Sequence, residues 1–330
     1  MKALALFSGG LDSALAIKVM KEQGIEVIAL NFVSHFFGGK NEKAENMAEQ
    51  LGVKLEYVDF STAHTQVLKK PVHGRGKNMN PCIDCHALMF RIAGQLLEQY
   101  GASFIISGEV LGQRPMSQNY QALEKVKGMS GGLEDLIVRP LCAKHLPPSL
   151  PEREGWIDRE KLLDIHGRSR KTQIELMDRY GIVDYPSPGG GCLLTDPGYS
   201  QRLRFVEQDG LLEEENSVLF HLLKTGRFFR FEAGKYLIVG REKEDNHKLD
   251  SYKDVGTLYI KGREIPGPHI LGYGDLNEEQ IEFALNLFSR YSKVKGKETI
   301  PVFINGGTRE VLPVDLEKLE EDIKKYQVAM

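Results

Sequence analysis

Apolar runs alternate with amphipathic stretches through the first part of the chain. Residues 3–7 form a short apolar run, and residues 11–23 follow with Leu11, Leu15 and Val19 at helical spacing. Residues 27–32 are a second apolar run, 40–51 a polar helical pattern and 54–58 a third strand. Residues 84–100 read as a helix with apolar positions at Leu88, Ile92, Leu96 and Leu97, and 104–107 as the next strand. Near-continuously apolar strands separated by helices predict an α/β fold, a parallel sheet with helices on both faces. Such sheets bind ligands at the carboxyl ends of their strands.

Pro147, Pro148 and Pro151 break this rhythm, and a linker is expected around 145–158. Helical patterns follow at 159–165 and 171–180, then a turn-rich segment from Tyr185 that carries Cys192. Beyond about residue 212 the texture changes. Strand-like runs at 228–231, 236–239 and 258–260 are joined by glycine-containing turns, with a helix at 277–291, a strand at 300–304 and a charged helix at 316–326. The expected organisation is a first domain over 1–205 and a small α+β domain over 212–330.

Composition narrows the function. The 330 residues carry 43 basic and 46 acidic side chains, so a protein that coats nucleic acid through bulk charge is excluded, although a local basic face is not. Four cysteines cannot be a disulfide scaffold in a chain this long, and they invite a metal or redox reading. The opening apolar run is too short for a signal peptide, and no stretch approaches the roughly 18–20 apolar residues of a membrane helix. A cytoplasmic protein with reduced thiols is expected.

Ser8-Gly9-Gly10-Leu11-Asp12-Ser13 follows a strand and opens a helix. The glycines allow a tight turn and close approach to an anion, which the helix N-terminus then faces. The Ser8 and Ser13 hydroxyls can add hydrogen bonds. The run lacks the Gly-Lys-Ser/Thr of the Walker loop, and its bland alternative is a plain strand–turn–helix. It resembles the signature of the PP-loop ATP pyrophosphatases, adenine nucleotide alpha hydrolase-like enzymes that split ATP between the α and β phosphates. That resemblance implies that they adenylate a carbonyl oxygen, from which a nucleophile displaces AMP. It also implies that Ser8, Gly9, Gly10, Leu11 and Ser13 cradle the pyrophosphate portion, that Asp12 helps hold Mg²⁺, and that Asn31 and Phe32 lie beside the adenine. Ser107 and Gly108, at another strand end, are expected to close over the nucleotide.

Cys82 and Cys85 form a Cys-x-x-Cys at the start of a helix, where thiolate pKa values are depressed. Cys192 stands about a hundred residues on. Three thiolates suit a [4Fe-4S] cluster with one open iron, while a structural zinc needs a fourth ligand, with His86 and Cys142 as applicants. A catalytic disulfide between Cys192 and Cys82 or Cys85 is a further alternative. So is a plain buried role, which is favoured for Cys142. Within the PP-loop family the combination is similar to the tRNA-thiolating branch, the 4-thiouridine and 2-thiouridine synthases. The resemblance implies a cluster on Cys82, Cys85 and Cys192 whose open iron carries hydrosulfide, or a persulfide on Cys192 in cluster-free members. The chain begins on the PP-loop strand and has no cysteine after Cys192. Sulfur is therefore expected from elsewhere: a cysteine desulfurase, a sulfur carrier or free sulfide.

Residues 222–263 hold ten Lys or Arg against six acids, interleaved with Phe228, Phe229, Phe231, Tyr236, Tyr252 and Tyr259. Such a face can contact phosphates and stack bases, though a solvated sheet with core aromatics has the same composition. Gly234, Gly240-Arg241 and Asn246 resemble the RNA-binding module of the NFACT proteins. Arg114, Arg168, Arg227, Arg230, Lys235 and Arg241 are the expected RNA contacts, with His166 and Arg170 near Arg168. The reading is an ATP- and Mg²⁺-dependent tRNA uridine thiolase with a [4Fe-4S] site (alternatively zinc or no metal), no membrane partner, and a second copy of the chain as a candidate partner. Its rivals are a PP-loop ligase or amidotransferase acting on a small molecule, and a non-catalytic RNA-binding protein with structural zinc.

Overall fold

The first apolar run is a strand, β1 (Lys2–Leu6), whose successive side chains leave opposite faces of a sheet. The structure, a computed structural model, describes residues 1–328 except 38, 184, 186–190, 293–298 and 313–315. The chain divides into two compact units, Met1–Thr195 and Asp196–Met330. The first continues with α1 (Leu11–Lys21), β2 (Glu26–Val33), α2 (Glu42–Leu51), β3 (Lys54–Asp59), α3 (Ser61–Lys69) and α4 (Cys82–Gln95). After these come α5 (Leu97–Tyr100), β4 (Phe104–Ser107), α6 (Tyr120–Gly128), β5 (Ile137–Val138), α7 (Leu150–Arg153) and α8 (Lys171–Tyr180).

The five strands are parallel in the order β3-β2-β1-β4-β5. Alternation decides the two cores. Ala3, Ala5, Val27 and Ala29 face one way onto α1 and α2, while Leu4, Ile28 and Leu30 face the other way onto α4 residues such as Leu88 and Phe90. Both faces are covered, as the apolar runs predict. The strand order reverses between β1 and β4, and the crevice beyond their carboxyl ends is where such a sheet takes a ligand.

Two glycines set that crevice. Gly9 has φ +75, and a Cβ there would stand 2.9 Å from the Ala44 Cα on α2. At Gly108, just after β4, a Cβ would lie 2.5 Å from the Asp12 carbonyl carbon and the Ser13 nitrogen. The backbone after β4 therefore lies directly on the turn after β1.

Several expectations are corrected. The 159–165 helix is a single 3₁₀ turn, Arg159–Lys161, because the Leu163 and Ile165 amides donate to the Pro140 and Leu141 carbonyls instead of within a helix. The 84–100 helix starts at Cys82 and is interrupted at Leu96. Residues 145–158 are not a free linker: Pro151 and Ile157 are buried, and Trp156 packs on the first unit's core.

The second unit holds α9 (Pro197–Gln208), α10 (Ser217–Leu222), β6 (Arg227–Arg230), β7 (Tyr236–Val239), α11 (Lys243–Ser251) and β8 (Leu258–Gly262). Next are β9 (Ile270–Tyr273), α12 (Glu278–Tyr291), β10 (Ile300–Ile304), β11 (Gly307–Val311), α13 (Leu316–Tyr326) and β12 (Gln327–Val328). Its seven-stranded antiparallel sheet, ordered β11-β10-β8-β9-β7-β6-β12, packs against α12 and α13. Helix α9 falls in this unit, so the division comes before it and not after residue 205. Among the described residues no helix is long and apolar enough to cross a membrane.

Gly108→Ala forces a methyl into backbone that cannot yield. The expected cost is about 1–3 kcal/mol, read as a lower urea midpoint for the first unit, whereas Gly101→Ala, which meets nothing within 4 Å, brings no such clash.

Candidate functional site

The phosphate-loop sequence lies at the switch point. Gly10 caps α1 without a side-chain hydrogen bond, so the amides of the helix's first turn face the crevice with no side chain over them. Ser8 is exposed, and its Oγ accepts from the Gly10 amide at 3.3 Å. The Ser13 Oγ donates to the Gly10 carbonyl at 2.8 Å. Leu11 is buried in the core, so it offers the crevice only its backbone. Asn31 and Phe32 also face inward. Asn31 Nδ2 donates to the Phe7 carbonyl at 2.9 Å, and the Phe32 ring meets Phe60 at 5.4 Å. The Ser107 hydroxyl donates to Glu109. These three side chains brace the sheet end, and Gly108 braces the loop through its backbone.

Asp12 is gripped on one oxygen only. Its Oδ2 accepts from Gln113 Nε2 at 2.6 Å and from Arg170 Nη2 at 3.3 Å. Its Oδ1 is buried without a hydrogen-bond partner. An unsatisfied anionic oxygen beside an anion cradle fits a divalent cation such as Mg²⁺. Gln113 is itself held by Gln173, whose Nε2 donates to Gln113 Oε1 at 2.7 Å. The segments carrying these residues are pinned together, since the Gly167 amide donates to the Leu111 carbonyl at 2.7 Å. Sequence reasoning set Arg170 among RNA contacts and did not single out Gln113 or Gln173; nothing local marks a glutamine that works across sixty residues.

The cysteines come to the same sheet edge. Helices between parallel strands start at the carboxyl edge, which puts Cys82 and Cys85, in the first turns of α4, above the sheet. The Cys192 segment is strapped beside them. Leu193 donates its amide to the Phe36 carbonyl (2.9 Å), Met79 its amide to the Leu194 carbonyl (3.2 Å), and Asn78 its Nδ2 to the Thr195 carbonyl (2.7 Å). The turn from Pro186 to Gly190 that leads into it lies outside the described residues. All four cysteines are free thiols.

The expected depression of the thiol pKa values does not occur. Burial pushes Cys85 well above its ordinary value, with Cys192 and Cys82 adding to the rise, and burial pushes Cys192 up to about 12. Desolvation outweighs the helix terminus here. The mutual influence of the three thiols means they are neighbours, and Asn80 Nδ2 donates to Cys82 Sγ at 3.1 Å, a bond that favours a thiolate or bound sulfide. Among the described residues no three His, Cys, Asp or Glu side chains converge as a ready site for one ion. That spacing disfavours zinc, whose ligands crowd one centre, and the donor set still suits a cluster, which spans a wider gap. The two zinc applicants are engaged elsewhere. His86 Nδ1 meets Glu109 Oε1 at 2.9 Å, and the buried Cys142 Sγ donates to the Glu109 carbonyl at 3.3 Å.

Glu109 is thus a junction that joins β4, α4 and the end of β5, where Arg139 Nε donates to its Oε2 at 2.8 Å. Arg139, absent from the sequence reading, had one signal: a charge immediately after an apolar strand. Burial pushes the Glu109 carboxyl up, but Arg139 and His86 outweigh it and hold it at about 2.

The RNA candidates divide. Arg114, Arg168 and Arg241 are exposed. Arg230 is paired with Asp209 and lies over Phe205, and Arg227 stacks on Tyr291 with its guanidinium 4.1 Å from the ring centroid. Lys235 pairs with Glu232 at 2.7 Å. Phe228, Phe229 and Tyr236 are fully buried and cannot stack bases, so the interleaved aromatics belong mostly to the core. The Gly240 and Asn246 motif is a fastener: Asn246 Oδ1 accepts from the His269 amide at 2.8 Å, and a Cβ on Gly240 would stand 2.1 Å from that oxygen.

Because the Glu109 pKa lies below its ordinary 4.5, the stability it contributes is complete above about pH 4.5 and is lost as pH falls toward 2. Acid unfolding of Glu109→Gln should start from lower stability at neutral pH and show a shallower decline over that interval than the parent chain.

Residues 1–145 match the family model described as thiamine biosynthesis protein (ThiI), and residues 226–327 that described as NFACT protein RNA binding domain. A probable tRNA sulfurtransferase of Thermococcus kodakarensis is 29% identical over 170 residues, 50% of this chain and 39% of that protein. The tRNA-specific 2-thiouridylase MnmA of Petrotoga mobilis is 26% identical over 278 residues, 76% of this chain and 72% of that one. A solved 4-thiouridine synthetase–RNA complex with bound ATP aligns at TM-score 0.37 and 23% identity, over 66% of this chain and 53% of that one. The chain spans between 34% and 41% of the length of the tRNA sulfurtransferases it matches. With its phosphate loop at the switch point of a parallel sheet and its separate antiparallel unit, the chain joins a ThiI-family segment, residues 1–145, to an NFACT-type RNA-binding domain, residues 226–327.

Proposed function

We propose that this protein is an ATP-dependent tRNA sulfurtransferase that thiolates a uridine. The observation that carries the reading is the gathering of three free, neighbouring thiols at the sheet edge that also bears the phosphate loop. Either feature alone suits many enzymes; together they suit an activation by ATP followed by a sulfur attack. The sulfurtransferase and thiouridylase relatives support the same class.

In this reading the α1 amides and the Ser8 hydroxyl hold the triphosphate, and Asp12 Oδ1 takes Mg²⁺. The uridine carbonyl oxygen bonds to the α phosphorus while pyrophosphate leaves with the electron pair of the α–β bridge. A hydrosulfide-level nucleophile then adds to the ring carbon, and AMP leaves with the electron pair of the carbon–oxygen bond. The ring nitrogen's proton goes to solvent. A carbonyl oxygen is a poor leaving group and AMP a good one, which is why ATP is needed. The target base must leave its stack to reach the crevice, and the exposed Arg114, Arg168 and Arg241 are the proposed phosphate contacts.

Cys82, Cys85 and Cys192 would hold a [4Fe-4S] cluster, which supplies an open iron site for the sulfur nucleophile. Three clustered thiolates need a compensating positive charge, because each thiolate formed opposes the next. Asn80 orients Cys82, and the straps on Asn78, Met79 and Phe36 hold Cys192 in reach. The sulfur itself comes from a separate donor.

The test follows AMP and thiolated base together, with ATP, Mg²⁺, sulfide and unmodified tRNA. Asp12→Ala should abolish AMP formation, and unchanged turnover would overturn the loop assignment. Cys192→Ala should stop base thiolation, and full thiolation by it would remove the thiols from the mechanism. Anaerobically purified protein should carry about four irons and four sulfides per chain, lost in Cys82→Ala. One zinc and no iron would replace the cluster with a structural metal.

A further inference from the structure

Arg170 stands at the N-cap position of α8, far in sequence from the phosphate loop, yet its Nη2 reaches Asp12 Oδ2 at 3.3 Å. The pair is mostly enclosed, with the Arg170 side chain 25% exposed and Asp12 17%. Three segments cooperate to hold it. Gln113 donates to the same carboxylate oxygen, Gln173 is fully buried and fixes Gln113, and the Leu111–His166 bridge with the Gly167 amide locks the two loops together. So elaborate a grip is more than a surface ion pair needs, since those contribute ~0–1 kcal/mol.

The arrangement is explained by what must happen at Asp12. A carboxylate set in an anion cradle repels a triphosphate unless a cation covers it. Arg170 covers Oδ2, while Oδ1 stays buried without a partner. A divalent cation entering at Oδ1 takes over the carboxylate's charge and weakens Arg170's hold. The guanidinium is permanently charged, and its planar fork matches phosphate oxygens. It also sits beside the amides of the α1 terminus, one side-chain length from where a phosphate would lie.

We propose that Arg170 is a catalytic residue of the adenylation step: it is the counter-ion of Asp12 in the nucleotide-free protein and passes to the phosphate oxygens when metal and ATP enter. There it stabilises negative charge as the bond between the uridine oxygen and the α phosphorus forms and pyrophosphate departs with the bridging electron pair. Gln113 and Gln173 are positioning residues that keep Asp12 aimed while the exchange occurs. The inference rests on the adenylating function proposed above.

The test uses the full chain with Arg170→Gln and Arg170→Lys, and measures binding separately from turnover. Titration of ATP without divalent metal should show at least ~10-fold weaker binding in Arg170→Gln and near-parental binding in Arg170→Lys. The half-saturating Mg²⁺ concentration for ATP binding should fall in Arg170→Gln, because Asp12 no longer has an internal counter-ion. Single-turnover AMP formation should drop by ~100-fold in Arg170→Gln, the scale of losing one oriented donor, with Arg170→Lys restoring binding more than rate. Parental metal-free ATP binding and Mg²⁺ demand in Arg170→Gln would overturn the exchange. Parental AMP formation in that variant would overturn the catalytic role. If the parent chain forms no AMP with any uridine substrate, the adenylating function fails, and the two binding titrations still decide the exchange at Asp12.

Discussion

The site depends on one close approach, the Gly108 backbone lying on the Asp12–Ser13 backbone where β1 and β4 part company. A side chain at residue 108 would hold the two turns apart. Because they touch, the residue after Gly108 is carried to a fixed height above the sheet, and Glu109 can reach both His86 on α4 and Arg139 beyond β5. The His86 contact in turn fixes the first turns of α4, which bear Cys82 and Cys85. A single glycine contact thus couples the anion cradle to the thiols through one buried carboxylate.

That carboxylate is a costly way to join three elements. Burying Glu109 and Arg139 together carries a desolvation penalty that their attraction roughly offsets, so the pair contributes little net stability while its loss on one side costs several kcal/mol. What it supplies is register. Arg139, His86 and the Ser107 hydroxyl approach different sides of one group, and only one arrangement of β4, α4 and β5 satisfies all three. Asp12 follows the opposite plan. Its Oδ2 is tied by Gln113 and Arg170, and its Oδ1 is left bare in a buried place. One acid is fully satisfied and holds structure; the other is half satisfied and faces the crevice.

Much of the fold could be read from the chain because its carriers are contiguous. The apolar runs at β1, β2 and β4 declare a sheet covered on both faces, and the phosphate loop is six consecutive residues whose meaning follows from their order. What was hidden acts over distance. Arg139, Gln113 and Gln173 gain their roles from partners dozens of residues away, and a glutamine on a helix looks like any other polar surface position. The expected helix at 159–165 failed because its amides had partners at Pro140 and Leu141 that no periodicity reveals. In the second unit, β9 and β11 are short and interrupted by glycine, arginine or threonine, so they went unread. Gly240 and Asn246 could be recognised as a motif before their physical reason was visible: the asparagine oxygen occupies the space a Cβ would need.

The thiols show why a motif does not fix chemistry by itself. Cys-x-x-Cys at a helix start ordinarily favours thiolates, because the terminal amides stabilise negative charge. Here Cys85 is buried and Cys192 mostly so, and the loss of water costs a thiolate more than the helix returns. The neighbours compound this, since Cys82 and Cys192 both make ionisation of Cys85 harder. A neutral, enclosed thiol is a weak nucleophile and slow to oxidise. A positive centre among the three reverses the balance for all of them at once, because the repulsion that kept each proton in place becomes shared attraction to that centre. The same burial that silences the cysteines singly would strengthen their joint hold on such a charge, since attraction in a dry setting is screened less than at the surface.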